Sequence, residues 1–139
     1  MGLMLDSSLL IADERGKFDM PGFLRQSSGV QPALAAITAS ELLHGVERAQ
    51  EAGRKARRLR HVEQVLAVIP VQDFDLGQAR VHARIWAELQ SRGQMIGPHD
   101  LLIAAAGLAL GHEVATLNVQ EFRRVNGLKV VDATPFVRA

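Results

Sequence analysis

The chain has 139 residues, 47% of them hydrophobic and 22% charged, with sixteen Lys and Arg against fifteen Asp and Glu and a formal net charge of +1. That length suits one folded domain over residues 1–139, and the balance excludes a disordered chain and leaves any nucleic-acid surface to be local rather than global. No cysteine is present, which excludes disulfides, thiolate metal sites and cysteine nucleophiles and is compatible with a reducing cytoplasm.

The apolar run over residues 2–5 stops at Asp6 without a basic leader, so it reads as a strand rather than a signal peptide or membrane anchor. A cytoplasmic protein with no membrane partner is expected. Ser7 and Ser8 then lead into Leu9, Leu10, Ile11 and Ala12, a helix with a serine as N-cap. Asp6 either lies at the carboxyl end of the first strand, where open α/β sheets put their ligands, or is itself a cap. Residues 13–29 mix glycine, serine and charge, with Phe23 and Leu24 anchoring a short helix.

Residues 33–37 form a second strand. Thr38-Ala39-Ser40-Glu41 follows and fits the capping box, Thr38 as N-cap and Glu41 reaching back to its amide. Residues 45–68 are helical with a break near Gly53, and Leu59, Val62, Leu66 and Ile69 make a buried stripe. Around that stripe lies a dense basic cluster of Arg48, Arg54, Lys55, Arg57, Arg58, Arg60 and His61. It reads either as a phosphate-tracking surface or as a solvated helix face interrupted by Glu47, Glu51 and Glu63. Residues 69–71 suggest a brief strand and residues 75–92 a long helix, with Ala79, His82, Ala83, Trp86 and Leu89 on its inner face and Trp86 as a packing anchor.

Gly97 and Pro98 punctuate the chain, so the next helix begins after them with His99 or Asp100 in its first turn. From Leu101 to Leu110 every residue is apolar or glycine, so this helix is covered on nearly all sides and too short for a bilayer. Gly111 is the C-cap; residues 114–117 and 129–131 read as strands, with a loop or short helix between them and a tail beyond. Alternating strands and helices imply an α/β fold with a parallel sheet and a site at the strands' carboxyl ends.

Asp6, Glu41 and Asp100 fall at equivalent topological places. Carboxylates brought together there must take up protons or hold a cation, and all-oxygen donors favour Mg²⁺ or Mn²⁺. His44, His61, His82, His99 and His112 form no ligand spacing.

Four blocks carry a family resemblance. They are Leu5-Asp6-Ser7-Ser8-Leu9-Leu10-Ile11, Thr38-Ala39-Ser40-Glu41-Leu42-Leu43-His44-Gly45, Ile96-Gly97-Pro98-His99-Asp100-Leu101-Leu102-Ile103-Ala104-Ala105 and Thr116-Leu117-Asn118-Val119-Gln120-Glu121-Phe122. In this order they resemble the signature blocks of PIN-domain toxin ribonucleases of the VapC type, and Arg124-Val125-Asn126-Gly127-Leu128 resembles the family's usual ending. The resemblance implies a PIN-like three-layer α/β/α sandwich with a four- to five-stranded parallel sheet. It implies a Mg²⁺- or Mn²⁺-dependent endoribonuclease acting on RNA, leaving 5′-phosphate and 3′-hydroxyl ends, restrained by a cognate VapB-type antitoxin and usually a homodimer.

The resemblance also places Asp6, Glu41 and Asp100 as catalytic metal-binding acids, so Glu41 becomes a site residue rather than a capping one. Where many members carry a fourth Asp this chain has Asn118, and Glu121 is the nearby acid that can supply the charge. Ser7 or Ser8, Thr116 and Asn118 are auxiliary candidates for orienting water or phosphate; on its own Asn118 is equally a turn residue. Two competing readings remain. A phosphatase using Asp6 as nucleophile would need a second acid where Ser8 stands, and a PIN-fold RNA- or partner-binding module with a weak or inactive site draws on Asn118.

Overall fold

The computed structural model describes residues 2–139. Five short strands form one wholly parallel sheet: β1 (Gly2–Leu5), β2 (Gln31–Ala35), β3 (Val71–Gln72), β4 (Glu113–Thr116) and β5 (Val130–Asp132), in the order β3-β2-β1-β4-β5. Strand β1 is central and buried along its whole length. It aligns Met4 with Ala33 on one side and with Val114 on the other. A strand covered on both faces carries continuous rather than alternating hydrophobicity, which is why residues 2–5 read as an unbroken apolar run.

The strand residues divide by parity between two cores. Met4, Ala33, Ala35 and Val114 face helices α5 (Leu76–Ser91), α6 (Pro98–Leu110) and α7 (Val119–Phe122). Leu3, Leu5, Leu34 and Ala115 face α1 (Ser7–Glu14), α2 (Met20–Gln26), α3 (Ala36–Arg48) and α4 (Ala52–Val68). The result is the three-layer α/β/α sandwich expected from the resemblance. Among the described residues no helix is long and apolar enough to cross a membrane.

Helix α6 is the hub of the first core. Leu101 and residues 103–107 are buried, and Gly111 ends the helix at φ 68°, the left-handed C-cap that its position in the sequence predicts. A Cβ on Gly107 would stand 2.8 Å from Val114 Cγ2, so glycine is what lets α6 lie against β4. In the second core Phe18, Phe23 and Phe136 pack edge and tilt, with centroids 5.5–6.4 Å apart. The tail is therefore docked: a 3₁₀ turn at Thr134–Phe136 brings Phe136 onto α2.

Several local expectations are corrected. Asp6, not a serine, occupies the N-cap of α1, and its side chain makes no capping bond. Strand β2 ends at Ala35 and α3 starts at once, so Thr38 lies inside the helix, fully buried with its hydroxyl unpartnered, and there is no capping box. The break between α3 and α4 falls at residues 49–51, with Glu51 as the cap. Leu59 is exposed, and α4 rests on Val62 with Val65, Leu66 and Ile69. On α5 the buried side is Gln78, Ile85 and Leu89. Trp86 is 48% exposed and its ring lies tilted against His82, whose ring in turn meets Phe74 edge-on, so it is a surface aromatic and not a core anchor.

Candidate active site

In the order β3-β2-β1-β4-β5 the chain winds one way from β1 to β3 and then crosses to the other side of β1. The reversal falls between β1 and β4, the place where parallel α/β sheets open a crevice at the strands' carboxyl ends. Asp6 follows the last residue of β1 and Thr116 is the last residue of β4, and the two meet: Thr116 Oγ1 donates to Asp6 Oδ2 at 2.8 Å. Ser8 Oγ donates to the same oxygen at 2.8 Å.

These hydroxyls are themselves fixed by backbone. Leu117 N–H donates to Ser8 Oγ at 3.1 Å and Asn118 N–H donates to Thr116 Oγ1 at 2.8 Å. Asp6 is 3% exposed, and its other oxygen, Oδ1, is buried with no hydrogen-bond partner. A buried carboxylate oxygen left without a donor is costly unless a ligand or cation meets it. Ser7, the other serine of the first block, is buried at the start of α1, and Ser8 is the one that reaches the acid.

Asp100 enters from the first turn of α6, where Pro98 holds the N1 position and Gly97 is the cap residue. Its carboxyl is pushed up to about 7 by burial first, with the charges of Asp6, Glu121 and Glu41 adding to the effect. All three other acids therefore lie near enough to resist its ionisation. Asn118 Nδ2 donates to Asp100 Oδ2 at 3.3 Å and, with its other hydrogen, to Glu121 Oε2. Glu121 Oε1 accepts the Gly97 N–H at 2.7 Å. That backbone bond, then the Asn118 amide, hold the Glu121 carboxyl below its usual range. The two neighbouring acids are thus driven apart in proton affinity, Glu121 downward and Asp100 upward.

Glu41 sits on α3, with Oε2 3.2 Å from His99 Nδ1 and Oε1 buried and unpartnered. His99 is a largely exposed neighbour of both Glu41 and Asp100. Among the described residues no three acid or histidine side chains already stand as a metal-coordinating group. Glu41 is bonded to His99 instead, and Glu121 to Gly97 and Asn118. The donor set is nonetheless of the right kind, all carboxylate oxygens, two of them buried and unpaired.

Asp6, Glu41, Asp100 and Glu121 are thus neighbours, with Thr116 and Asn118 bonded among them. Ser8 and the Gly97 N–H are the parts that sequence reasoning underweighted. Ser8 carried a signal, lying two residues from Asp6. The amide of Gly97 carried none, since a backbone donor has no side-chain signature.

Known proteins bear on this arrangement. The sequence model of the PIN domain matches residues 3–128. Ribonuclease VapC1 of Rickettsia felis is 34% identical over 131 residues, spanning 94% of this chain and 96% of that protein. The tRNA(fMet)-specific endonuclease VapC of Shigella flexneri is 31% identical, with 93% and 96% covered. In the crystal structure of DNA-bound VapBC from Salmonella typhimurium, one chain superposes with a TM-score of 0.85 at 28% identity, covering 95% of this chain and 98% of that one. With its fold, its acid-bearing strand ends and these relatives in agreement, this chain belongs to the PIN-domain family and, within it, to the VapC ribonucleases.

Proposed function

We propose that this protein is the endoribonuclease toxin of a toxin–antitoxin pair, hydrolysing RNA phosphodiester bonds at the carboxylate cluster and held inactive by its cognate antitoxin. The observation that carries the reading is the gathering of Asp6, Glu41, Asp100 and Glu121 at the β1/β4 reversal, with Asp6 Oδ1 and Glu41 Oε1 buried and free of donors. Relatives whose names make them ribonucleases support the substrate class, and the VapBC complex supports an antitoxin partner.

Asp6 and Asp100 would hold Mg²⁺ or Mn²⁺ directly, with Glu41 completing the set and Glu121 adding charge. A divalent ion in such a site supplies activation of water and stabilisation of the charge developing on the phosphodiester during in-line displacement. The chain's own contribution is positional. Ser8 and Thr116 fix Oδ2 of Asp6 and so leave Oδ1 for a ligand. Asn118 bridges Asp100 and Glu121 and limits their repulsion. In the reaction water adds to phosphorus and the P–O3′ bond breaks, giving a 5′-phosphate and a 3′-hydroxyl.

The test is cleavage of a mixed cellular RNA pool by antitoxin-free protein, with Mg²⁺ or Mn²⁺ against chelator and Asp100→Asn prepared in parallel. Cutting that needs the metal and disappears in the variant is expected. RNA binding without cutting under every metal condition would overturn the reading in favour of a binding module, which the neutral Asn118 among the acids favours.

A further inference from the structure

The carboxyl edge of the sheet continues past the acids. Thr116, the last residue of β4, stands in register with Asp132, the last of β5. Neighbouring strands run about 5 Å apart, so the end of β5 lies roughly one strand spacing beyond Thr116 and two beyond the end of β1. A cleft opens there, lined by Leu117, Asn118, Gln120, Arg123, Asp132 and Thr134 among others. Asn118 belongs to this cleft and to the acid cluster alike, since its amide donates to Asp100 and to Glu121. The two depressions therefore share a wall.

Helix α7 decides which side chains face that cleft. Val119 and Gln120 precede Arg123 by four and three residues, so the three share one side of the turn. Phe122 is turned into the core and Glu121 toward Gly97. Arg123 is exposed and enters no ion pair among the described residues. Its neighbours differ. Arg124 donates to the Met95 carbonyl at 2.9 Å, and Arg92 donates to the Arg124 carbonyl and to Gln94 Oε1, each at 2.7 Å, so both brace the backbone around the site.

The acid of the cleft, Asp132, is answered by Thr134, whose N–H and Oγ1 donate to Oδ1 at 2.9 and 2.6 Å. Those bonds hold its carboxyl below the usual range, with the charge of Arg123 a smaller contributor. The guanidinium is thus felt in the cleft without being closed off by a contact. Every exposed residue lining the cleft is polar, whereas a protein partner needs an apolar core to its contact. A polyanion entering a crevice of four acids is repelled by them, so the charge that holds it must come from the rim. A planar, weakly hydrated guanidinium with parallel N–H donors suits phosphate in particular.

Resting on the ribonuclease reading, we infer that Arg123 binds the RNA phosphate next to the scissile one. It holds the strand along the β4–β5 end of the sheet while the acids act on the bond beside it.

The experiment uses the full chain with Arg123→Gln, with Arg123→Lys, and with Arg54→Gln as a control of equal charge. Arg54 is exposed at the start of α4 and lines neither the cleft that holds Asn118 nor the one that holds Glu41. Binding of a labelled, mixed-sequence single-stranded RNA is followed by anisotropy in chelator across a KCl series. Arg123→Gln is expected to flatten the slope of log affinity against log salt by about 0.7, the share of one phosphate, and to weaken binding roughly fivefold at low salt. The lysine variant keeps most of the slope, and Arg54→Gln keeps both slope and affinity. With Mg²⁺ present, Arg123→Gln raises KM by a larger factor than it lowers kcat, and its thermal midpoint stays where it was.

Unchanged affinity and slope in Arg123→Gln, or an equal loss in Arg54→Gln, would overturn the phosphate contact and leave the ribonuclease reading standing. Antitoxin binding lost while RNA affinity stays would also overturn it and assign the cleft to a protein partner. If the unsubstituted chain neither bound nor cut RNA, the contact and the ribonuclease reading would fall together.

Discussion

Asn118 Nδ2 lies 3.3 Å from Asp100 Oδ2 and donates to it, a neutral amide standing among acids. Asn118→Asp should therefore have opposite effects with and without a cation. In chelator it removes a donor to two carboxylates and adds a repelling one, costing on the order of 1–3 kcal/mol. With Mn²⁺ the added oxygen is a further hard donor, and roughly tenfold tighter binding is expected. Paired thermal melts and Mn²⁺ titration calorimetry check both signs; a variant weaker for Mn²⁺ would count against a metal role for this cluster.

The raised proton affinity of Asp100 gives a pH dependence of known sign. Its folded-state pKa, about 7, lies above the ordinary 3.8, so between those values the folded protein binds more protons than the unfolded one. This contribution to stability is fully present below about pH 4 and is lost as pH rises through about 7. In chelator, the melting temperature of the unsubstituted protein should fall across that window relative to Asp100→Asn, which has no such proton to release. Parallel curves for the two proteins would contradict the assignment.

Thr116 is bonded both ways, donating to Asp6 and accepting from the Asn118 amide. Thr116→Val should cost about 1–3 kcal/mol, because it leaves a part-buried backbone donor and a buried carboxylate oxygen short of partners. It should lower RNA cleavage as well, and Thr116→Ser should restore both. Stability and cleavage rate measured on the pair separate the missing hydroxyl from the altered shape.

The opposite outcome is expected at Thr38, fully buried in α3 with its hydroxyl unpartnered. Thr38→Val removes a desolvated polar group at constant shape and should stabilise by up to about 1 kcal/mol. Chemical denaturation is the measurement, and a loss of stability would reveal a partner for that hydroxyl.

Gly107→Ala sets two effects against each other. Alanine is favoured in a helix by about 1 kcal/mol. The new methyl would press on Val114 at 2.8 Å, and overpacking of that kind typically costs about 1–3 kcal/mol. Net destabilisation by denaturant titration is expected, and relief by Val114→Ala in the same background would identify the clash.

Where sequence could be read, it was because one physical signal dominated. Asp100 is announced by Gly97-Pro98 ahead of a helix with no polar face, and Asp6 by the end of an unbroken apolar strand. Glu41 was ambiguous because Thr38-Ala39-Ser40-Glu41 has the spacing of a cap; α3 in fact follows β2 with no loop, and a junction of alanines carries no punctuation. The face of α5 was misassigned because two stripes compete. Leu89 is buried as its spacing suggested, but it runs with Val81 and Ile85 rather than with Ala79, His82, Ala83 and Trp86, and only the tertiary fold decides which set meets α6. The Glu121 tether to Gly97 spans 24 residues and ends on a backbone amide, which no local pattern encodes.

The bond between Asp6 and Thr116 joins positions 110 residues apart, and β1 gains its neighbour β4 only when the chain has been made that far. During synthesis the hydroxyl that orients the first acid is thus made more than a hundred residues after the acid itself. A chain cut before the fourth strand lacks both the Thr116 hydroxyl bonded to Asp6 and the Asn118 amide bonded to Asp100. By this wiring the first acid gains its orientation only once β4 has been made and has paired with β1.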